Sequence, residues 1–427
     1  MTIAQLYEIY KKYPSVQTDS RKLKQGDLFF ALKGPSFNGN SFAAKALEDG
    51  AAYAIIDEAS FKVDERYILV EDVLTTLQHL ALHHRLQFKN TPFIAITGSN
   101  GKTTTKELVH AVLSSQYKTY TTKGNLNNHI GIPLTLLSVG MDAEFAVIEM
   151  GANHQKEIAG YCTYTLPTHG IITNCGKAHL EGFGGVEGVR KGKGELYDHL
   201  RINGGTAFVM WDFDYLRDMS AGIKNLITYG TAESDYIGEV IKSEPFLEIK
   251  ISKGAHTGHI QSQLVGDYNL PNLLVAVTVG HHFGVDDKKI KLAIEAYSPS
   301  NSRSQLMQVG SNTIILDAYN ANPSSMKLAI ENFAKQAYDE KLLLLGSMAE
   351  LGAESEQEHS DILKLISQFK WKEVVLVGEE FRKVNTSYKQ FSNSAEAGEW
   401  FKQQDFQKIA ALVKGSRSTQ MEKVLGL

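Results

Sequence analysis

The segment Phe93-Ile94-Ala95-Ile96-Thr97-Gly98-Ser99-Asn100-Gly101-Lys102-Thr103-Thr104 constrains this chain more than any other. Apolar residues suited to a buried strand run directly into a turn with two glycines. Lys-Thr-Thr then opens a stretch in which Leu108, Val109, Val112 and Leu113 recur at helical spacing. Gly98 and Gly101 carry no Cβ, so the backbone can bend tightly and aim its N–H groups at anionic oxygens, while the helix adds the positive end of its dipole. Ser99, Asn100 and Thr104 complete this cradle; Lys102 is placed to reach the β- and γ-phosphates of a nucleoside triphosphate and Thr103 its magnesium. The loop is shorter than the usual pattern, with only Ser99 and Asn100 between its glycines and Ile96 where the first glycine normally lies. A glycine-rich turn without a ligand is the alternative, and it accounts less well for Gly-Lys-Thr directly after a strand.

The rest of the chain bounds what such a site can serve. Its 427 residues exceed what one core usually fills, so two to three domains are expected. A hydrophobic share of 43% with 22% charged residues is that of an ordinary globular protein. The formal charge of −4 leaves no excess of Lys and Arg for a polyphosphate backbone, so nucleic acid is not expected as a partner and small substrates are. Met1-Thr2-Ile3-Ala4-Gln5-Leu6 has neither the basic start nor the apolar run of a signal peptide, and no segment approaches a membrane span; we expect a cytoplasmic protein without membrane insertion. Cys162 and Cys175 are the only cysteines and are read as reduced, Cys162 as a small buried residue.

Three segments follow one another, and the expected class is α/β. Residues 1–88 form a small α/β unit in which strands such as Asp27-Leu28-Phe29-Phe30-Ala31-Leu32 and Ala52-Tyr53-Ala54-Ile55-Ile56 alternate with helices. Lys89-Asn90-Thr91-Pro92 reads as a linker, because its proline disfavours continuing the preceding helix. Residues 89–298 keep alternating strands and helices, which implies a mostly parallel sheet covered by helices. Within them, residues 227–260 look β-rich enough for an antiparallel flap. A second break falls at Ser298-Pro299-Ser300-Asn301-Ser302. Residues 299–427 then alternate again as a doubly wound domain.

Two further elements carry chemistry. Phe145-Ala146-Val147-Ile148-Glu149 is an apolar strand that ends in an acid. In a parallel sheet that acid emerges at the same edge as the phosphate loop, where Glu149 could hold magnesium directly or through water. An isolated acid at a strand end is more often a solvated residue or a helix cap; the phosphate loop reverses that preference. The other element is Asn174-Cys175-Gly176-Lys177-Ala178-His179-Leu180-Glu181-Gly182-Phe183-Gly184-Gly185, a glycine-dense loop that follows the strand Gly170-Ile171-Ile172-Thr173. His179 in such a loop suits a site, although a lone histidine is often structural. Lys193 lies fourteen residues on, inside Arg190-Lys191-Gly192-Lys193, where a solvated charge run is the default reading.

Taken together, Gly98 to Thr103, Glu149-Met150-Gly151-Ala152-Asn153-His154, His179-Leu180-Glu181-Gly182-Phe183-Gly184 and Asp317-Ala318-Tyr319-Asn320-Ala321-Asn322-Pro323 resemble the Mur ligases of peptidoglycan synthesis. The run Gly124-Asn125-Leu126-Asn127-Asn128-His129-Ile130-Gly131-Ile132-Pro133-Leu134-Thr135-Leu136-Leu137 is similar to the members that join D-alanyl-D-alanine to UDP-N-acetylmuramoyl-tripeptide. Thr18-Asp19-Ser20-Arg21 and Phe37-Asn38-Gly39 look like the family's nucleotide-sugar domain, with Asn38 where many relatives carry Asp. Leu345-Gly346-Ser347-Met348-Ala349-Glu350-Leu351-Gly352, His359 and Lys414-Gly415-Ser416-Arg417 look like its last domain, with Ser302 where many have Gly.

The resemblance implies three domains: a small UDP-sugar-binding unit, a central ATP-binding domain and a Rossmann-like C-terminal domain that closes over ATP and takes the dipeptide. It implies ATP and two magnesium ions as cofactors, with Lys102 on the phosphates, Thr103 and Glu149 on the first metal, and His179 on the second. It makes Lys193 a carbamylated lysine ligating that second metal, with Lys191 a rival two residues earlier. Asn272 corresponds to the adenine contact, and Arg303, Asp317 and Asn320 to a ribose and phosphate clamp from the last domain. Ser20 and Arg21 fall near the uridine diphosphate, Asn127 and Asn128 near the muramyl peptide, although asparagines are commonly turn-formers. The expected enzyme works as a monomer. Two other readings stay open: a related ligase such as folylpolyglutamate synthase or one adding a single amino acid, which the Gly124 run argues against, and a nucleotide-driven switch, which needs no uridine-sugar domain.

Overall fold

In the computed structural model, which describes residues 1–300 and 302–427, three parallel-rich sheets follow one another along the chain. Asn301, part of the expected second break, lies outside the described residues. The first sheet is four-stranded and parallel, ordered Val16–Gln17, Leu28–Phe30, Tyr53–Ile56 and Tyr67–Leu69. Its helices are Ile3–Lys12, Ala43–Glu48 and Val73–Arg85. The last of these is fastened to the next unit by Arg85, whose Nε and Nη2 donate to the carbonyls of Thr165 and Leu166 at 2.8 and 2.9 Å. The same guanidinium lies 3.8 Å from the Phe93 ring, at the first residue of the strand that leads into the phosphate loop.

The central sheet has nine strands. Phe93–Thr97 lies inside it between Phe145–Glu149 and His169–Ile172, all parallel, so their carboxyl ends share one edge. Residues 227–260 do not form a separate flap. Asn225–Gly230 extends this sheet in parallel, and Tyr236–Lys242, Glu248–Lys253 and His259–Gln261 pair antiparallel with one another at its margin, the first of them joined to the sheet in parallel through Tyr236 and Ile237. Tyr236 and Ile237 meet the sheet edge through two residue pairs, while Val240 and Ile241 stay exposed beyond it.

The third sheet has six strands, of which Gln305–Val309 alone is antiparallel. Its centre shows why its strands read as continuous apolar runs. In Lys341–Gly346, Leu343 and Leu345 join the large core of the molecule, whereas Leu342 and Leu344 join a second core with Ile314, Val375 and Val413. Successive side chains point to opposite faces, and both faces are covered by helices. Among the described residues no helix is long and apolar enough to cross a membrane.

Candidate active site

The phosphate loop is shaped by its glycines and held by the neighbouring strand end. Gly98 and Gly101 adopt φ of +141° and +79°. A Cβ on Gly98 would run into Thr173 Oγ1, so Gly98→Ala should cost about 1–3 kcal/mol of stability and weaken ATP binding. Unfolding in denaturant and nucleotide titration would measure both, and wild-type values would refute this account of the turn. Asn174 clasps the loop from the other side: its Oδ1 accepts the Asn100 N–H at 3.0 Å and its Nδ2 donates to the Asn100 carbonyl at 3.1 Å. The Ser99 N–H reaches the Asn174 carbonyl at 2.9 Å. Gly101 caps the helix Lys102–Ser114. Lys102 Nζ donates to the Gly98 and Ser99 carbonyls at 2.6 and 3.2 Å. Burial pulls its pKa below the ordinary lysine value; Glu149 opposes that shift and Arg303 adds to it.

Glu149 ends its strand 2% exposed. Its two oxygens accept from neutral groups, Thr103 Oγ1 at 2.9 Å and Asn127 Nδ2 at 2.8 Å. A buried carboxylate with neutral partners suits a cation. His179 stands across the cavity in left-handed backbone, φ +53°. Its Nδ1 lies 2.5 Å from Glu350 Oε2, and this neighbour holds the Glu350 carboxyl below the usual carboxylate range. Among the described residues no three or more His, Cys, Asp or Glu gather into a metal cage. Magnesium needs none, since it is commonly held by one or two carboxylates together with substrate phosphates and water. The oxygens of Glu149 and Thr103 fit that chemistry, and His179 lines the same cavity.

A cavity of about 950 Å³ joins these groups to the last domain, whose Arg303, Asp317 and Asn320 face into it. The Arg303 guanidinium stacks 3.6 Å over the Tyr319 ring. Asp317 Oδ2 pairs with Lys414 Nζ at 2.5 Å, and its Oδ1 accepts the Ser304 N–H at 3.1 Å. Of the residues given a place at the catalytic, nucleotide, metal or substrate site in the sequence, Gly98, Lys193, Ser20 and Arg21 do not line this cavity, nor does the rival Lys191; the others do. Ser20 and Arg21 sit on a turn of the first unit, where Arg21 is exposed and bonded to Asp19 at 2.8 Å. Asn128 lines the wall, but its Oδ1 caps the next helix by accepting from Ile130 and Gly131. Asn272 also lines it with both amide atoms engaged: Oδ1 accepts from Thr105 at 3.0 Å and Nδ2 donates to Asn269 at 2.8 Å.

The basic run is not a uniform solvated face. Lys191 is exposed, whereas Lys193 is 1% exposed and donates to the carbonyl of the cavity-lining Ala152 at 3.0 Å. Burial, reinforced by Lys102, pulls the Lys193 pKa down to about 7. Lys193 shares a helical stripe with the buried Val189, Leu196, Tyr197 and Leu200, a periodicity visible in the sequence.

Family models match three stretches: "Mur ligase family, catalytic domain" at residues 12–85, "Mur ligase middle domain" at 96–280 and "Mur ligase, glutamate ligase domain" at 302–421. A UDP-N-acetylmuramoyl-tripeptide--D-alanyl-D-alanine ligase of Escherichia coli is 34% identical over 96% of this chain and 92% of its own length. The chain belongs to the Mur ligase family. The corresponding ligase of Bacillus subtilis is 37% identical over 85% of the chain and 79% of its own length. Among solved structures, MurF from Acinetobacter baumannii superposes with a TM-score of 0.87 at 30% identity, covering 99% of this chain and 97% of that one. MurF from Thermotoga maritima in complex with ADP superposes at 0.84 with 25% identity, covering 96% of each chain.

In this Mur ligase the last domain touches the phosphate loop through groups that local sequence did not reveal. Asn322 Nδ2 donates to Asn100 Oδ1 at 2.7 Å, Ser324 Oγ accepts the Lys177 N–H at 2.9 Å, and Lys177 pairs with Glu358. Glu350 and Lys414 stood in recognised motifs without an assigned task; their partners show what they orient. Arg303→Ala should therefore weaken ATP binding while UDP-sugar binding holds, because the guanidinium enters the cavity from the last domain. Calorimetric titration of both ligands checks this, and equal loss of both would indicate misfolding instead.

Proposed function

We infer that this Mur ligase adds D-alanyl-D-alanine to UDP-N-acetylmuramoyl-tripeptide at the expense of ATP, giving the UDP-muramyl-pentapeptide, ADP and phosphate. The observation that carries the reading is the convergence of a phosphate loop, a buried acid at Glu149, the His179 imidazole and the Arg303 guanidinium of another domain on one cavity. The tripeptide carboxylate attacks the γ-phosphate, forming an acyl phosphate and releasing ADP. Two anions approach each other in that step, and Lys102 offsets their repulsion and follows the charge that develops on the transferred group. The amine of D-alanyl-D-alanine then attacks the acyl carbon and phosphate leaves, so one amide bond forms for each phosphoanhydride broken. Glu149 and Thr103 would hold one magnesium ion, and His179 with a carbamylated Lys193 a second. Bound there, the metal neutralises phosphate charge.

On this reading residues 1–88 hold the UDP end through Ser20 and Arg21, and residues 89–298 hold ATP and the muramyl peptide, with Asn127 and Asn128 beside the peptide. Residues 299–427 close over ATP with Arg303, Asp317 and Asn320 and receive the dipeptide. Closure excludes water, which would otherwise hydrolyse the acyl phosphate. The enzyme acts as a monomer in the cytoplasm. Phosphate release should require both UDP-N-acetylmuramoyl-tripeptide and D-alanyl-D-alanine. Release that needs neither would overturn the ligase reading.

A further inference from the structure

Lys106 is 1% exposed on the phosphate-loop helix, and the chemistry above gives it no task. A buried ammonium persists only where it is paired. Its Nζ donates to the Thr122 carbonyl at 2.7 Å and to Glu107 Oε1 at 2.6 Å. Lys106 lies one helical turn after Thr103, so the two share a face. That face sends Thr103 Oγ1 to one oxygen of Glu149 and Lys106 to Thr122. Thr122 is wholly buried, and its Oγ1 accepts the Glu149 N–H at 3.0 Å. Residues 123–126 then pass through solvent, with Gly124 at φ +57°. The loop returns to the wall at Asn127, whose Nδ2 meets the other Glu149 oxygen and whose carbonyl accepts the Gly151 N–H at 2.8 Å. An exposed loop is thus held at two ends, and Lys106 secures the first.

We propose that Lys106 is a positioning residue: acting through Thr122, it sets the Glu149 carboxylate and the Asn127 amide in the cavity wall. The proposal rests on the reading of Glu149 as a cation ligand and Asn127 as an acceptor contact. Partners that orient ligating groups commonly govern metal affinity as strongly as this arrangement implies.

The test is Lys106→Met, which keeps the aliphatic stem and deletes the ammonium. Manganese binding to the ADP complex is followed by electron paramagnetic resonance, beside kcat and KM for UDP-N-acetylmuramoyl-tripeptide. Manganese affinity should fall about tenfold and KM rise by a similar factor, with kcat at saturation within about threefold of wild type. A lower melting temperature and kcat with unchanged manganese affinity and KM would mean that Lys106 only fills space, and would overturn the proposal. Should Lys106→Met not fold, Thr122→Val carries the test, since it conserves volume and removes only the acceptor of the Glu149 N–H. It should weaken manganese binding with little change in KM, and Thr122→Ser should restore it; wild-type affinity in Thr122→Val overturns the proposal. Wild-type protein that binds no manganese with ADP overturns it together with the reading beneath it.

Discussion

Lys193→Ala is expected to lose about 100-fold or more in ligation activity, and acetate or another short carboxylate to return part of it. Lys193 is 1% exposed and directly behind the cavity wall at Ala152, where an ammonium would repel a magnesium ion. With its pKa drawn down to about 7, about half of the side chains are neutral amines near neutral pH, far more than for an ordinary lysine. A neutral amine adds carbon dioxide and releases a proton, becoming a carbamate whose anionic oxygens suit a hard cation. The sign of the pH dependence follows: as pH falls through about 7 the ammonium form takes over and cannot add carbon dioxide, so activity in bicarbonate-depleted buffer should fall in that direction. Bicarbonate should restore it above this range. Lys191→Ala should keep most activity, since Lys191 faces solvent. Normal turnover by Lys193→Ala without any carboxylate would remove the carbamate from the mechanism.

Lys102→Ala should lower kcat by about 100-fold to 1,000-fold while leaving the fold intact. Its Nζ bonds only to carbonyls of its own loop, at Gly98 and Ser99, so no distant element depends on it. Alanine is the best helix former at the start of Lys102–Ser114. On the proposed mechanism, what disappears is the cation that follows charge onto the transferred phosphoryl group. Rapid-quench measurement of ADP formation, beside a thermal melt, separates the two effects. Unchanged kcat with an unchanged melt would show that Lys102 has no part in phosphoryl transfer.

The phosphate loop was legible because everything it needs is contiguous: an apolar strand, two glycines free to take positive φ, and a helix start. Glu149 was legible for a related reason. Parallel pairing brings carboxyl ends to one edge, so an acid ending an apolar run is delivered there by the sheet itself. Four of the six strands of the last domain were as clear, since both their faces are covered and their apolar runs are unbroken; the edge strands Gln305–Val309 and Lys389–Phe391 were not. The β-rich stretch was recognised as antiparallel strand, but its attachment to the central sheet was not, because alternation along a strand does not say which neighbour it pairs with.

What the sequence by itself determined was the class of elements and the chemistry of the phosphate cradle, because periodicity and glycine act between residues close along the chain. Only the tertiary structure decided that Glu350 faces His179, that Lys414 orients Asp317, and that Asn322 grips Asn100. These partners stand from 97 to 222 residues apart, and their meeting depends on how the sheets dock, which no local pattern records. Lys191 and Lys193 show the same limit at short range. Two residues on a helix differ by about 200° in direction, and the surrounding domain selects which one enters the core. The energy that buries Lys193 comes from the apolar stripe beside it, so its environment belongs to the packed molecule, not to the lysine.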